Sequence, residues 1–336
     1  MTFDEIWTSI EKDSLPSAAV GIIRRRILPD ACCDLFLGIE KPSNRRIFLL
    51  RVATANAPEA KLFPQARGFE VRLLALPDDP VGHSSVLLLQ TNETFRDIFT
   101  ILTSDVAGHI APTVDHKTAV EQLLARLKRW QQFLERSGPE GLGDEAQRGL
   151  FGELWFISHF LVPVLGVQAI TAWTGPTLTA QDFQLPGLAV EVKTTTAKEH
   201  QKLPITGEKQ LESSGQLRVF LFHLSLNAQR DTGITLVELV AQIRVLFASS
   251  PLSLAFFEDA LISAGYLDTH ANRYLRPGYL KREHHLFEVK DDFPRIVGGD
   301  LRAGVGDVSY SVSVAACLSY LVEETDFIRI LASRKP

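Results

Sequence analysis

Residues 181–196 read QDFQLPGLAVEVKTTT, and this stretch restricts the fold more than any other in the chain. Pro186–Gly187 separates two short apolar runs and offers the central pair of a type II turn, so a hairpin is expected here. Tight hairpins favour the primed turns, which makes the local fit imperfect. With a loop symmetric about Pro186–Gly187, Phe183 opposes Val190 and Asp182 opposes Glu191. Side chains alternate along a strand, so Lys193 shares the Glu191 face while Val190 and Val192 point the other way, into a core. Two carboxylates and an ammonium thus meet on one face of an otherwise apolar strand pair. Like charges directly opposed destabilise a sheet unless they are neutralised. Lys193 alone can do this, giving a salt-bridged hairpin. A divalent cation can do it too, and hard oxygen ligands suit Mg²⁺.

Glu153 weighs on that choice. In RGLFGELWFISHF its helical neighbours at three and four residues are Gly149, Leu150, Phe156 and Ile157, so the acid is expected to be at least partly buried. A buried carboxylate needs a partner. The helix that carries it, DEAQRGLFGELWFISHFLVPVLG over 144–166, opens on a candidate capping box, Asp144 with Gln147. It is followed by strand-like QAITAWTG over 168–175, by the hairpin, and by KLPIT over 202–206 as a strand or edge segment. EKQLES over 208–213 reads as a short helix and QLRVFLFHLSL over 216–226 as a buried strand.

A helix with a semi-buried acid, three strands, a short helix and a strand resembles the PD-(D/E)XK nuclease superfamily, whose core is an αβββαβ unit. The motif places an acid on the second strand, acid-x-Lys on the third, and often a Glu on the first helix. Asp182 matches the motif Asp, Glu191 and Lys193 match (D/E)XK, and Glu153 matches the helix acid. Gln210 is similar to a Gln that some members place beside the site. Gln181 stands where the motif has Pro, a position that ligates nothing. The chain also resembles a group of bacterial proteins named only for this motif, whose genes often neighbour restriction or phage-defence genes. FPRI and VSYSVS near the C-terminus belong to that closer match.

The resemblance implies a restriction-endonuclease-like α/β fold, mixed α+β, with its core over 144–226. It implies a Mg²⁺- or Mn²⁺-dependent deoxyribonuclease acting on DNA with other proteins of a defence system. Asp182, Glu191 and the Val192 carbonyl would hold one or two metal ions, Lys193 would orient the reacting water or steady the transition state, and Glu153 would complete a second metal or fix the first metal's waters. Gln210, Lys198, Lys202 and Thr194 are the candidate nucleic-acid contacts. A homodimer is compatible with such a chain. The competing reading is a non-catalytic subunit that keeps the fold to bind nucleic acid or a partner protein.

Upstream, CDLFLGIE (33–40), RRIFLLRVA (45–53), FEVRLLALP (69–77) and SSVLLLQT (84–91) read as strands, then 94–110 and 116–136 as helices. SGPEGLG over 137–143 is the expected linker, dividing a β-rich N-terminal domain, 1–137, from a nuclease-like domain, 138–336. The first is expected to serve targeting or partner binding. Beyond the core, helices are expected at 234–248 and 253–265, strands at 284–292 and 308–315, and a helix at the C-terminus.

The net charge of −5 gives no global attraction to a polyanion, so DNA must meet a local basic surface. Lys198, His200, Lys202, Lys209 and Arg218 flank the motif, and a second basic stretch runs from Arg273 to Arg295, where a solvated surface is the favoured reading. RRR (24–26) and NRR (44–46) are read as surface. Three cysteines make neither a disulfide framework nor a zinc pattern, and no apolar run is long enough to cross a membrane, so a cytoplasmic protein is expected. GGDLRAGVGD over 298–307 lacks the Gly-Lys-Ser/Thr of a phosphate loop.

Overall fold

The computed structural model describes residues 1–12, 21–177, 179–213 and 217–334. The chain divides into two units, Met1–Glu140 and Gly141–Pro336. No helix among the described residues is long and apolar enough to cross a membrane.

In the first unit a helix α1 (Phe3–Lys12) precedes strands β1 (Gly21–Ile27), β2 (Asp34–Lys41), β3 (Arg45–Ala53), β4 (Phe69–Leu74) and β5 (His83–Gln90), and helices α2 (Arg96–Ile110) and α3 (His116–Arg136) close it. The sheet is antiparallel in the order β1-β2-β3-β5-β4. Strands β2, β3 and β5 are buried along almost their whole length, as their unbroken apolar runs demand. Trp7 of α1 donates its indole N–H to the Gly38 carbonyl at 3.0 Å. The reading of NRR as surface is corrected at its last residue: Asn44 is exposed, but Arg46 is only 2% exposed, because α1 brings Asp4 and Glu11 to its guanidinium at 2.9 and 3.2 Å and Trp7 stacks on it.

The second unit opens with α4 (Asp144–Phe156), which runs through a π turn (Ile157–Leu161) into α5 (Val162–Leu165). The expected capping box is absent. Gly143 is the cap, Asp144 is already helical, and the Gln147 amide donates instead to the Leu142 carbonyl at 2.9 Å. The strand expected at 168–175 is a 3-10 helix (Val167–Ala172), and only Trp173 makes a bridge, to Phe183. Then come β6 (Phe183–Leu185), β7 (Leu188–Thr195), β8 (Lys202–Ile205), a 3-10 turn (Glu208–Leu211) and β9 (Arg218–Gln229). Gln216, at the head of the expected fourth strand, lies outside the described residues. Helices α6 (Leu236–Phe247) and α7 (Pro251–Ala264) lead to β10 (Gly278–Val289), β11 (Tyr310–Ser313), α8 (Val314–Cys317) and α9 (Glu324–Ala332). The strand expected at 284–292 therefore starts earlier and ends sooner, and 308–315 is a four-residue strand that turns into a helix.

The main sheet has the order β10-β9-β7-β6. Strands β6 and β7 form the hairpin in the expected register, Phe183 opposite Val190 and Leu185 opposite Leu188. Strand β9 returns parallel to β7, as a crossover connection requires. One face carries Val190, Val192, Phe220, Phe222 and Leu224 against Leu150, Phe151, Leu154 and Phe156 of α4 and against α6 and α7. The other carries Ala189, Val219, Leu221 and Phe287 against the β8–β11 pair through Leu203, Ile205 and Val312. Along β7 and β9 this second face turns polar towards the strand ends, at Glu191, Lys193, Thr195, His223 and Ser225. The architecture is mixed α+β.

Candidate active site

The hairpin and α4 bring the sequence-predicted acids together. Gly152 on α4 lies against the side chains of Thr194 and Val192, where a Cβ would not fit, and this close approach carries Glu153 to the end of the hairpin. A Cβ built on Gly175 would stand 2.8 Å from Asp182 Oδ1 and 3.0 Å from Glu153 Oε2, so the two carboxylates flank one point of backbone, where an added methyl would push on both. The Trp173 indole donates to Glu153 Oε2 at 2.6 Å, and the Val192 N–H donates to Asp182 Oδ2 at 2.8 Å. Neither Trp173 nor Gly175 was marked as part of the site by sequence reasoning. Their placement two apart in TAWTGP, just ahead of the hairpin, is the available signal.

Glu191 is 1% exposed, and its Oε1 receives the Lys193 ammonium at 2.7 Å. Its Oε2 is buried with no hydrogen-bond partner. Burial first, and then the charge of Asp182, push the Glu191 carboxyl up to about 8, against the opposing pull of Lys193. Burial draws the Lys193 ammonium down, but Glu191, Asp182 and Glu153 outweigh it and the pKa is raised. Gln210 turns its Oε1 to Lys193 at 3.5 Å while accepting from the Thr206 N–H at 2.8 Å. Gln181, at the motif proline, is buried, and its amide donates to the Lys209 carbonyl at 2.8 Å, tying the Gln210 turn to the start of β6. Val190 and Val192 are in the core, as alternation requires.

Glu153, Asp182, Glu191, Val192, Lys193 and Gln210 line a cleft of about 470 Å³ with Arg148, Gly149, Thr194, Thr196, Lys202 and Pro204. Lys198 is exposed in the segment after β7 and is not among the lining residues. Most of the second basic stretch is engaged elsewhere: Arg276 with Asp231, Arg282 with the Ala197 carbonyl, Lys290 with Glu288, and Arg295 with the Leu211 carbonyl. Arg218 pairs with Glu288.

The donor set suits a divalent cation. A desolvated carboxylate with an orphaned oxygen, beside a second carboxylate, is unfavourable by itself and is relieved by a positive ion. No three His, Cys, Asp or Glu side chains among the described residues already stand as a ligand cluster.

Residues 3–315 match the model of a family described as "Putative PD-(D/E)XK family member, (DUF4420)". The chain belongs to this family. Its fold is accordingly nuclease-like, and the match runs through both units of the chain. No curated protein and no solved structure matches the chain.

Proposed function

We propose that the protein is a metal-dependent endonuclease that hydrolyses DNA phosphodiester bonds, serving restriction or phage defence in a bacterial cytoplasm. The observation that carries the reading is Glu191, fully buried beside Asp182 and Lys193, with one oxygen orphaned at an open cleft. A salt-bridged structural hairpin would explain the Lys193 contact, but not the orphaned oxygen or the cleft.

Asp182, Glu191 and the Val192 carbonyl would hold Mg²⁺ or Mn²⁺, which supplies Lewis-acid charge and lowers the pKa of water. Lys193, held by Glu191 and close to Gln210, orients the attacking water and steadies negative charge on the phosphate. Glu153, fixed by Trp173 beside Asp182, would complete a second metal or hold the first metal's waters. Thr194, Lys202 and Gln210 face the polynucleotide from the cleft walls, and Lys198 meets it outside. The N-terminal unit serves targeting or partner binding.

The test is titration of Mg²⁺ and Mn²⁺ against the full-length protein, read by thermal melting and by cleavage of duplex DNA. Occupancy at a hundred times Kd raises stability by about 2.7 kcal/mol. A melting curve indifferent to both ions, with no cleavage, would sink the proposal.

A further inference from the structure

Arg148 stands on α4 five residues before Glu153, half-buried in the wall of the same cleft. Its Nε is buried and makes no hydrogen bond. Asp144 and Glu145 lie four and three residues upstream, where helical neighbours meet, yet neither is ion-paired with it among the described residues. Four carboxylates line this cleft, Glu145, Glu153, Asp182 and Glu191, and the guanidinium is bound to none of them. Lys193 by contrast is committed to Glu191. A Cβ on Gly149, the next residue and also a lining residue, would meet nothing within 4 Å, so the cleft is open at that point of the helix.

A cationic planar fork in the wall of an open cleft, with a desolvated donor and no protein acceptor, matches a tetrahedral oxyanion. We propose that Arg148 is the phosphate anchor of the cleft: its guanidinium binds non-bridging oxygens of a backbone phosphate, and it does so without the metal. The inference rests on the reading of the cleft as a DNA site. It accounts for how a chain of net charge −5 holds a polyanion against four acids. Arg148 reads no base, so its contribution is the same for every sequence.

The test uses the full-length protein, a fluorescent duplex and EDTA, with affinity measured over a series of salt concentrations. One phosphate contact contributes about 0.9 to the slope of log affinity against log salt. Arg148→Gln should reduce the slope by about that amount and weaken low-salt binding several-fold, equally for two unrelated sequences. Arg148→Lys should keep the slope. Arg148→Gln with wild-type slope and affinity overturns the inference. Should that variant melt early, phenylglyoxal labelling of the wild type decides: duplex DNA must shield Arg148, and an unshielded Arg148 overturns the inference. Wild-type protein that neither binds nor cuts DNA overturns this inference and the cleft reading together. Wild-type protein that cuts DNA while Arg148→Gln binds it unchanged overturns this inference alone.

Discussion

Glu191 shows how one residue can be costly to folding and still be kept. Its carboxyl is desolvated, feels the charge of Asp182 and is ion-paired with Lys193. Glu191→Gln removes that burden with little change of shape. Without metal the variant should melt at or above the wild type, while the metal-induced rise disappears and cleavage falls by orders of magnitude. A Gln variant that still cuts at the wild-type rate would move the site elsewhere. Asp182 is better tested as Asp182→Asn than as alanine, because its Oδ2 accepts the Val192 N–H, a bond worth about 1 kcal/mol. Lys193→Ala should keep the metal-induced rise in melting and lose turnover. Equal loss of both would make Lys193 a structural residue.

His223 carries a separate, pH-dependent cost. It is fully buried on β9, hydrogen-bonded to Thr195 at 2.9 Å, and burial, then the charges of His285 and Arg282, hold its pKa down at about 3. The native state therefore binds fewer protons than the unfolded chain between about 3 and the ordinary 6.5. The stability is complete above pH 6.5 and is lost as the pH falls through that window, at about 1.4 kcal/mol per pH unit. Urea unfolding across that range should show a slope shallower by one proton in His223→Gln. An unchanged slope would mean that His223 titrates alike in both states.

At the scale of elements, the hairpin was legible because two independent constraints agree. Pro186–Gly187 fixes the turn, and the alternation of Val190 and Val192 with Glu191 and Lys193 fixes which face is buried. Helix α4 was legible from its apolar stripe, though not its cap, since Asp144 satisfies the sequence rule equally well inside the first turn. The segment 168–175 misled because Ile, Thr and Trp favour strands, whereas only Trp173 has a pairing partner within reach. Helix α1 hides in a short acidic segment whose apolar residues, Ile6, Trp7 and Ile10, cover a single face. Arg148 carries no signal in the sequence, because an arginine in a helix reads as solvated until its missing partner is seen. Gly175→Ala tests how tightly these elements converge. The added methyl must displace Asp182 or Glu153, which should cost about 1–3 kcal/mol and cut metal-dependent cleavage sharply. Wild-type melting and metal response in this variant would mean that the two acids are not held against that backbone.

At the scale of the whole molecule, the question is how much of the chain the chemistry needs. The core of the second unit draws on residues from Leu142 to Leu331, and a second cluster on residues from Ala189 to Tyr320. Every cleft residue, Arg148 included, lies beyond Gly141. A domain typically folds from its own core, and chain boundaries fall where few contacts cross. The fragment 141–336 should therefore be soluble and fold cooperatively. It starts before the α4 cap, Gly143, and keeps the Leu142 N–H that the Tyr274 hydroxyl accepts at 2.8 Å. With Mn²⁺ at low salt, where phosphate contacts are strongest, it should cut non-specific duplex DNA at a rate near that of the full chain. Restriction of particular DNA, by contrast, should be lost with residues 1–140 if those residues direct the enzyme to its target. The comparison is of melting and cleavage for fragment and full chain in the same buffer. A fragment that folds but is inert, beside an active full-length protein, would assign part of the catalytic machinery to the N-terminal unit and refute its role as a targeting module.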